Sequence, residues 1–264
     1  MIFRGALAAV LLVGPPASAE PAPTAIPLTV TACDEIGEFP PYIYLQRENG
    51  RPVGQPTGYS VDFLEAALAP SGRQAAVTLL PWKRCLESVA AGEIDLVLSA
   101  SRTNQRLQDF ILLDPAYELH HIYVFDRRHP PPKAENTAEL AQSTLCGQLG
   151  YNYEAGGIVG TASIEEARTF EGAIDMLLAG RCQLLVAYRE VVEGHSRLDG
   201  RDLLPPDRFG IETMNDARPE PMSMMIGRKL PYGAALAELL NQGTAALKKS
   251  GEADRLLRRY VPAD

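Results

Sequence analysis

The chain has 264 residues, with 25 basic and 33 acidic side chains, a net charge of −8 and a sequence pI of about 5.1. An acidic chain without basic clusters argues against partners such as nucleic acid or an anionic membrane surface. Its length is sufficient for one large domain or for two lobes of ordinary size.

The N-terminus has the form of a secretory signal. Arg4 is followed by the apolar run Gly5–Val13 and then by Ala17-Ser18-Ala19, a small-residue motif typical of a cleavage site. This run is too short to span a bilayer, and no later stretch approaches twenty apolar residues. We therefore predict that residues 1–19 are a signal peptide cleaved after Ala19, and that the mature protein is periplasmic without inserting into the membrane.

The first half of the chain alternates between strand and helix patterns, which is typical of a parallel sheet covered by helices. Apolar residues spaced by three and four mark the helices. We interpret Glu48–Thr57 as a polar turn region. The other elements predicted here are the strand Leu28–Cys33, a helix after Gly58, the strand Ala76–Leu80, a helix from Trp82 to Gly92, the strand Asp95–Ser99 and a short helix over Gln105–Phe110.

A second, similar series follows the proline-rich segment Arg127–Lys133. It contains the predicted strand Thr144–Leu149, the helix Phe170–Ala179 and the strand Cys182–Ala187. Met222–Ile226 is again strand-like and can carry the chain back to the first half. We therefore predict two α/β lobes, lobe 1 spanning 27–125 plus 226–264 and lobe 2 spanning 126–225. Crossings near 118–128 and 218–228 would form a hinge, with a ligand cleft between the lobes.

Four cysteines in an exported chain indicate two disulfides. Cys33 ends a strand and Cys85 lies in the first turn of a nearby helix, while Cys146 and Cys182 lie in strand-like stretches of the second half. We therefore expect Cys33–Cys85 and Cys146–Cys182, one disulfide in each half. The spacing contains no CxxC motif, so we expect no zinc site, and we expect no cofactor.

Small ligands of parallel α/β sheets bind beyond the carboxyl ends of the strands. The turns at these ends contain the candidate site residues, which are Glu35, Tyr42, Trp82, Ser101, Thr103 and Arg106 in the first half and Tyr151 and Asn152 in the second. Two of them have an alternative interpretation: Arg106 can pair with Asp109 or Asp114 on the surface, and Trp82 can belong to the core.

Several motifs follow one another along the mature chain: Pro41-Tyr42, Gly58-Tyr59-Ser60-Val61-Asp62, Trp82, Gly92–Asp95, Arg106, Pro115-Ala116-Tyr117 and Gly180-Arg181. By these motifs and its export signal, the chain resembles the periplasmic solute-binding proteins of family 3, the amino-acid-type receptors of ABC importers. The resemblance implies a type II periplasmic-binding fold with a discontinuous first lobe.

The resemblance also implies roles for individual residues. Arg106 would clamp a ligand carboxylate, helped by Ser101, Thr103 and nearby backbone amides, because a guanidinium presents two parallel donors. Where the family usually has an Asp that binds an α-amino group, this chain has Tyr188. We count Tyr188 among the candidate ligand residues.

These observations predict the substrate-binding component of an ABC importer, not an enzyme, that binds a small polar solute, amino-acid-like or carboxylate-bearing. Its partners would be the solute and the membrane permease, and it would be a monomer. One alternative is a periplasmic enzyme on the same fold, resembling cyclohexadienyl dehydratase, with Glu35 as the acid or base. Another is an accessory or sensor binding protein without its own importer.

Overall fold

The computed structural model describes residues 25–140, 142–154, 157–158 and 164–261. The predicted signal peptide and its cleavage site lie outside the described residues. A search of the described part of the chain for a helix of membrane-spanning length and hydropathy finds none.

The structure is of the mixed α/β class. In chain order its strands are β1 (Thr29–Glu35), β2 (Tyr44–Glu48), β3 (Arg51–Thr57), β4 (Gln74–Leu80), β5 (Leu96–Ser101), β6 (Phe110–Leu112), β7 (Tyr117–Leu119), β8 (His121–Asp126), β9 (Leu145–Gln148), β10 (Ile164–Ala167), β11 (Leu184–Tyr188), β12 (Phe209–Glu212) and β13 (Glu220–Gly227). Its helices are α1 (Tyr59–Leu68), α2 (Trp82–Ala91), α3 (Arg106–Asp109), α4 (Thr137–Leu140), α5 (Phe170–Leu178), α6 (Arg189–Asp199), α7 (Gly233–Ser250) and α8 (Glu252–Tyr260).

The first lobe is built on a six-stranded sheet in the order β4-β1-β5-β13-β6, with β7 also paired to β13. Strands β4, β1 and β5 are parallel, whereas β13 runs antiparallel to β5. Every residue of β5 is buried, as expected of a central parallel strand covered on both faces. The carboxyl ends of β1 and β5 therefore open on the same edge of the sheet.

The second lobe is built on a five-stranded sheet in the order β10-β9-β11-β8-β12. Here β10, β9 and β11 are parallel to one another. Strand β8 runs antiparallel to β11, and β12 runs antiparallel to β8. The two-lobed α/β fold predicted from the sequence is confirmed. The carboxyl ends of β9 and β11 face the first lobe and supply the opposite wall of the cleft.

The chain passes from the first sheet to the second at His120, between β7 and β8, and returns through residues 213–219. The sequence-based boundaries at 125/126 and 225/226 are therefore corrected. All of β8 pairs in the second sheet, and β13 pairs in the first sheet from Glu220 onward. Each predicted boundary falls inside a strand, whereas β8 pairs only in the second sheet and β13 only in the first.

Residues 44–57 form the hairpin of β2 and β3, whereas the sequence suggested only a polar turn over Glu48–Thr57. The turn of this hairpin is Asn49-Gly50, with φ angles of 51° and 76°. Asn-Gly is the residue pair that the tightest hairpin turns prefer, because both positions need positive φ. The sequence thus carried the signal for this hairpin.

The structure contains both disulfides in the pairing expected from the sequence, Cys33–Cys85 and Cys146–Cys182. In each the two Cα atoms are 5.7 Å apart, and each disulfide lies within one lobe. Their four cysteines are buried in the cores of the lobes. Cys33–Cys85 joins β1 to α2, and Cys146–Cys182 joins β9 to the turn before β11.

We expect each disulfide to stabilise its own lobe by roughly 2–4 kcal/mol, mainly by restricting the unfolded chain. Replacing Cys146 and Cys182 together by Ala should lower the free energy of unfolding by that amount, measured by chemical denaturation. Non-reducing peptide mapping checks the pairing itself. A peptide linking Cys33 or Cys85 to Cys146 or Cys182 would contradict it.

Candidate functional site

A cleft lies between the lobes, where the carboxyl ends of β1 and β5 meet those of β9 and β11. It is narrow: the cavity volume is about 40 Å³, room for about three water molecules. The residues that line it are Asp34, Glu35, Phe39, Trp82, Ser99, Ala100, Ser101, Arg106, Leu149, Gly150, Tyr151, Asn152, Tyr188 and Met222.

Arg106 is held in a fixed position on the first-lobe wall. Its Nη1 donates to both the carbonyl oxygen (2.8 Å) and the hydroxyl (2.7 Å) of Ser101, and its guanidinium carbon lies 5.3 Å from the centre of the Trp82 ring. Its Nε and Nη2 have no hydrogen-bond partner within the described residues. Burial lowers the pKa of Arg106 below its ordinary value, yet a guanidinium remains charged at any physiological pH. Arg106 therefore offers two unused donors to an anionic group.

Trp82 forms part of the cleft and also touches the second lobe. It is the first residue of α2, directly after Pro81 at the end of β4. A Cβ atom at position 150 would lie 2.8 Å from Cδ1 of Trp82, so the ring packs closely on Gly150 of the second lobe. The indole thus supports the guanidinium on one side and meets the opposite wall at its edge.

Asp34, the sixth residue of β1, is 2% exposed although it carries a carboxyl group. Its Oδ1 accepts a hydrogen bond from the amide of Glu35 (2.8 Å), and its Oδ2 has no partner within the described residues. Burial raises the pKa of the Asp34 carboxyl to about 7. Asp34 therefore changes its charge near neutral pH, on the same wall as Arg106.

A second buried acid, Glu220, lies at the point where the returning chain enters the first lobe. Its Oε2 accepts a long hydrogen bond of 3.4 Å from Nδ2 of Asn152 in the second lobe. Burial raises the pKa of Glu220 to about 7, opposed by the attraction of Arg106. Glu220 thus interacts with groups from both walls of the cleft.

The second-lobe wall consists mainly of aromatic rings. The hydroxyl of Tyr188 donates to the carbonyl oxygen of Asn152 (3.0 Å), and Oδ1 of Asn152 accepts from the amide of Glu154 (3.1 Å). The Tyr151 hydroxyl is buried without a hydrogen-bond partner in the described part of the chain. The rings of Tyr151 and Tyr188 lie 5.6 Å and 6.3 Å from the ring of Phe39 in the first lobe. Aromatic packing therefore closes the cleft on this side.

The structure brings most of the predicted site residues together at the cleft: Glu35, Trp82, Ser101, Arg106, Tyr151, Asn152 and Tyr188. Thr103 is near but does not line it. Its hydroxyl accepts from the amide of Arg106 (3.1 Å), so it fixes the backbone that carries the guanidinium.

The placement of Tyr42 in the cleft is wrong. Its side chain is 1% exposed and stacks on Tyr117, with ring centres 3.9 Å apart, inside the first-lobe core. The carbonyl oxygens of Pro41 and Tyr42 accept hydrogen bonds from the first amides of α1, at Tyr59 and Ser60. This contact turns the loop inward, and Tyr42 is buried as a consequence.

Sequence reasoning missed Asp34, Phe39 and Glu220. Asp34 and Glu35 are the last two residues of β1, and only the pleat decides which of the two is buried. Glu220 is more than a hundred residues away from Arg106 in the chain, and no local pattern joins them. An acid at the end of a buried strand was the one signal that could have indicated Asp34.

A sequence model of the family described as bacterial extracellular solute-binding proteins, family 3, matches residues 35–263. The chain belongs to this family. A search of curated protein sequences finds no match.

Solved structures similar to this chain share its fold at low sequence identity. One is an ABC uptake transporter substrate-binding protein from Streptococcus pneumoniae with bound histidine, at 17% identity and TM-score 0.70, covering 90% of this chain and 94% of that one. Another is the arginine-, lysine-, histidine-binding protein ArtJ from Geobacillus stearothermophilus, at 18% identity and TM-score 0.68, covering 89% of this chain and 96% of that one. A third is an ancestral amino-acid-binding protein, a precursor of cyclohexadienyl dehydratase, at 18% identity and TM-score 0.66, covering 88% of this chain and 95% of that one.

The raised pKa of Asp34 predicts a pH-dependent stability. Its value in the folded protein, about 7, is above the ordinary 3.8, so its favourable contribution is complete below pH 4 and is lost as the pH rises through 7. The Asp34→Asn variant cannot ionise at this position. At pH 8 its free energy of unfolding should therefore be roughly 2–4 kcal/mol higher than that of the wild type. Chemical denaturation at pH 4, 6 and 8 should show this gap shrinking towards pH 4. A gap that does not change with pH would contradict the assignment.

Proposed function

We propose that this protein is a periplasmic receptor that binds a small carboxylate-bearing solute between its lobes and delivers it to the permease of an ABC importer. In this proposal it is exported with cleavage after Ala19 and acts as a monomer. The observation that carries the proposal is the unused edge of the Arg106 guanidinium, fixed by Ser101 and Trp82 in a narrow cleft.

The chemistry of Arg106 favours a carboxylate over other ligand groups. A guanidinium presents parallel N–H donors that match the two oxygens of a carboxylate. Because Ser101 already takes up Nη1, the arginine needs little reorganisation when the ligand arrives, and less conformational entropy is lost. The alternative of a surface ion pair with Asp109 or Asp114 has no support, since no such hydrogen bond or salt bridge is found among the described residues.

The two walls of the cleft belong to different lobes, which favours binding by closure. We propose that the lobes rotate about His120 and residues 213–219, with 25–119 plus 220–261 moving against the described residues of 121–212. A ligand that touches both walls favours the closed form by the contacts that only this form permits. The family, together with a similar solved structure that holds bound histidine, supports a receptor of this kind.

A second candidate function, catalysis on the same fold, is favoured by one observation. Burial raises the pKa values of Asp34 and Glu220 to about 7. A general acid or base works best with a pKa near the operating pH. Asp34 replaces Glu35 as the candidate acid, because Oε1 of Glu35 accepts from the amide of Gly37 (3.1 Å). Recovery of the bound solute and its proton NMR spectrum separate the functions: a receptor returns the solute unchanged, and an enzyme returns a product.

Loss of Arg106 should abolish the preference for an acid over its amide. We expect Arg106→Ala to weaken binding of the carboxylate solute by about two to four powers of ten, because a paired charge in a dry cleft is worth several kcal/mol. The affinity of Arg106→Lys should lie between those of wild type and Arg106→Ala, since lysine keeps the charge without the planar guanidinium. Calorimetry with the acid and its amide measures the preference directly.

Arg102 provides the matched control for this experiment. It is an exposed arginine four residues earlier that does not line the cleft, so Arg102→Ala should leave both affinities unchanged. Equal binding of the acid to wild type and to Arg106→Ala would overturn the proposed function.

Closure should depend on a glycine far from the ligand. Gly194 of α6 packs on the first lobe, and a Cβ atom there would overlap the backbone of Pro40. Gly194→Ala should therefore hinder closure and weaken solute binding about tenfold, while Ala favours the helix itself. Isothermal calorimetry gives the affinity, and circular dichroism confirms that the helix content is kept.

Gly172→Ala in α5 is the control, since the added Cβ atom makes its tight contact, at 3.2 Å, with Thr169 Oγ1 at the start of the same helix and not with the first lobe. This variant should bind like wild type. If Gly194→Ala also binds like wild type, the contact of α6 with Pro40 plays no part in binding.

A further inference from the structure

A second cavity lies outside the cleft, at the two places where the chain crosses between the lobes. Its volume is about 250 Å³, against about 40 Å³ for the cleft. It is lined by His120 of the first crossing, by Arg189 at the start of α6, and by Arg218 with its neighbours in the return segment 213–219. We call it the hinge cavity, because an occupant would touch both crossings at once.

The charged side chains on the wall of the hinge cavity are positive. Arg189 and Arg218 both line it and both are exposed, and neither guanidinium has a hydrogen bond or an ion pair within the described part of the chain. The protein as a whole carries a net charge of −8, so two unpaired arginines at one cavity run against its overall charge. Such a wall attracts an anion.

Acids adjoin the lining segments along the chain, and two of them are held by other groups. Both carboxylate oxygens of Glu190 contact His120, one its ring Nδ1 (2.6 Å) and the other its amide (3.0 Å). The carboxylate of Asp216 accepts from the amide and the hydroxyl of Thr137. None of the four adjoining acids lines the hinge cavity: Glu190, Glu212, Asp216 and Glu220.

The helix α6 adds to the positive potential. It has eleven residues and begins at the hinge cavity with Arg189. A helix N-terminus carries a partial positive charge from its unpaired amides. The amide of Arg189 donates to the carbonyl oxygen of His120 (2.9 Å), which holds the end of the helix against the first crossing. The carboxylate of Glu190 in the first turn offsets part of this potential.

His121 separates the hinge cavity from the cleft. It lines the hinge cavity, is 4% exposed, and neither of its ring nitrogens has a hydrogen-bond partner among the described residues. Burial lowers its pKa to about 4, so the ring is neutral near pH 7 and adds no charge to the wall. The centre of its ring lies 4.7 Å from that of Tyr188, which lines the cleft. The two cavities are thus divided by two packed rings.

We propose that the hinge cavity is a second binding site, for a small dianion such as phosphate, sulfate or a short dicarboxylate, held between Arg189 and Arg218. Two negative charges balance the two unpaired guanidinium groups, and each guanidinium presents parallel donors to a pair of oxygen atoms. This site is separate from Arg106 and goes beyond the proposed function, since the anion is not the solute of the cleft.

An anion at this position would act on closure. Arg189 belongs to the second lobe and Arg218 to the return crossing, so rotation of the lobes about the crossings alters the spacing of the two guanidinium groups. An anion that prefers one spacing shifts the populations of the open and closed forms. By linkage, the factor by which it changes solute affinity is the factor by which the solute changes its own.

The first test is calorimetry at pH 7.5 with phosphate, sulfate, malonate and succinate, and with chloride as the monoanion control. The ionic strength is kept constant, because salt screens exposed charges. At least one dianion should bind with a Kd below about 10 mM. Tighter binding of phosphate and sulfate would identify a compact tetrahedral ligand, and tighter binding of malonate or succinate a dicarboxylate.

Variants assign the anion to the hinge cavity. Arg189→Ala and Arg218→Ala should each weaken the bound dianion about tenfold, because each removes charge-assisted hydrogen bonds. Arg168→Ala is the matched control, since Arg168 is an exposed arginine of the second lobe outside the cavity. Arg106→Ala should also bind the dianion like wild type, because it changes only the cleft.

The effect on closure is read from Trp82, the single tryptophan of the chain, whose ring packs on Gly150 of the second lobe. The dianion should change the fluorescence of Trp82 in the Arg106→Ala protein, where the cleft has lost its arginine. The change should disappear when Arg189→Ala and Arg218→Ala are added. Binding at these arginines without a change in fluorescence would support the site and overturn its effect on closure.

The site itself is overturned by any of three results. These are that no dianion binds, that Arg189→Ala and Arg218→Ala both bind it like wild type, or that Arg106→Ala alone abolishes its binding. None of these results decides the proposed function, which depends on whether Arg106→Ala loses the preference for a carboxylate solute over its amide.

Discussion

The cleft is organised around the guanidinium of Arg106, which is fixed by two hydrogen bonds to Ser101 and by the Trp82 ring. Ser101 ends the fully buried strand β5, and Trp82 begins the helix that follows β4. The position of the positive charge thus follows directly from the parallel sheet. Since Trp82 also packs on Gly150, the same arrangement brings the second lobe against the first.

Burial of acidic groups beside this charge has a cost in stability. Asp34 and Glu220 are both 2% exposed, and burial moves the pKa of each to about 7. A stable fold does not need buried carboxyls with so few partners, and natural proteins keep such groups mainly where they bind or react. We propose that these acids serve the cleft, as the enzyme hypothesis requires of Asp34.

The sequence was sufficient for the fold and for much of the first-lobe wall. Alternating strand and helix patterns predicted the parallel sheets. Cys33 at the end of one predicted strand, with Cys85 in the first helical turn after another, predicted their disulfide. Arg106, Ser101 and Trp82 were placed at the cleft because each comes soon after the carboxyl end of a strand predicted from the sequence. Tyr42 was misplaced because an aromatic residue in a loop can turn inward, and only the contact between its carbonyl oxygen and α1 shows that it does.

The remaining site residues depend on contacts between distant parts of the chain. Glu220 meets Asn152 only because the chain returns to the first lobe after residues 213–219, and the exact crossing was not visible in the sequence. Likewise, the Tyr151 hydroxyl has no partner among the described residues, whereas that of Tyr188 donates to the backbone carbonyl of Asn152.

The central claim is that a solute is bound between two lobes that close on it. Small-angle X-ray scattering of the protein, alone and saturated with a solute whose binding calorimetry has established, tests this most directly. The account predicts a smaller radius of gyration in the complex, since intact lobes rotate towards each other. An unchanged radius of gyration, with binding confirmed in the same sample, would contradict it.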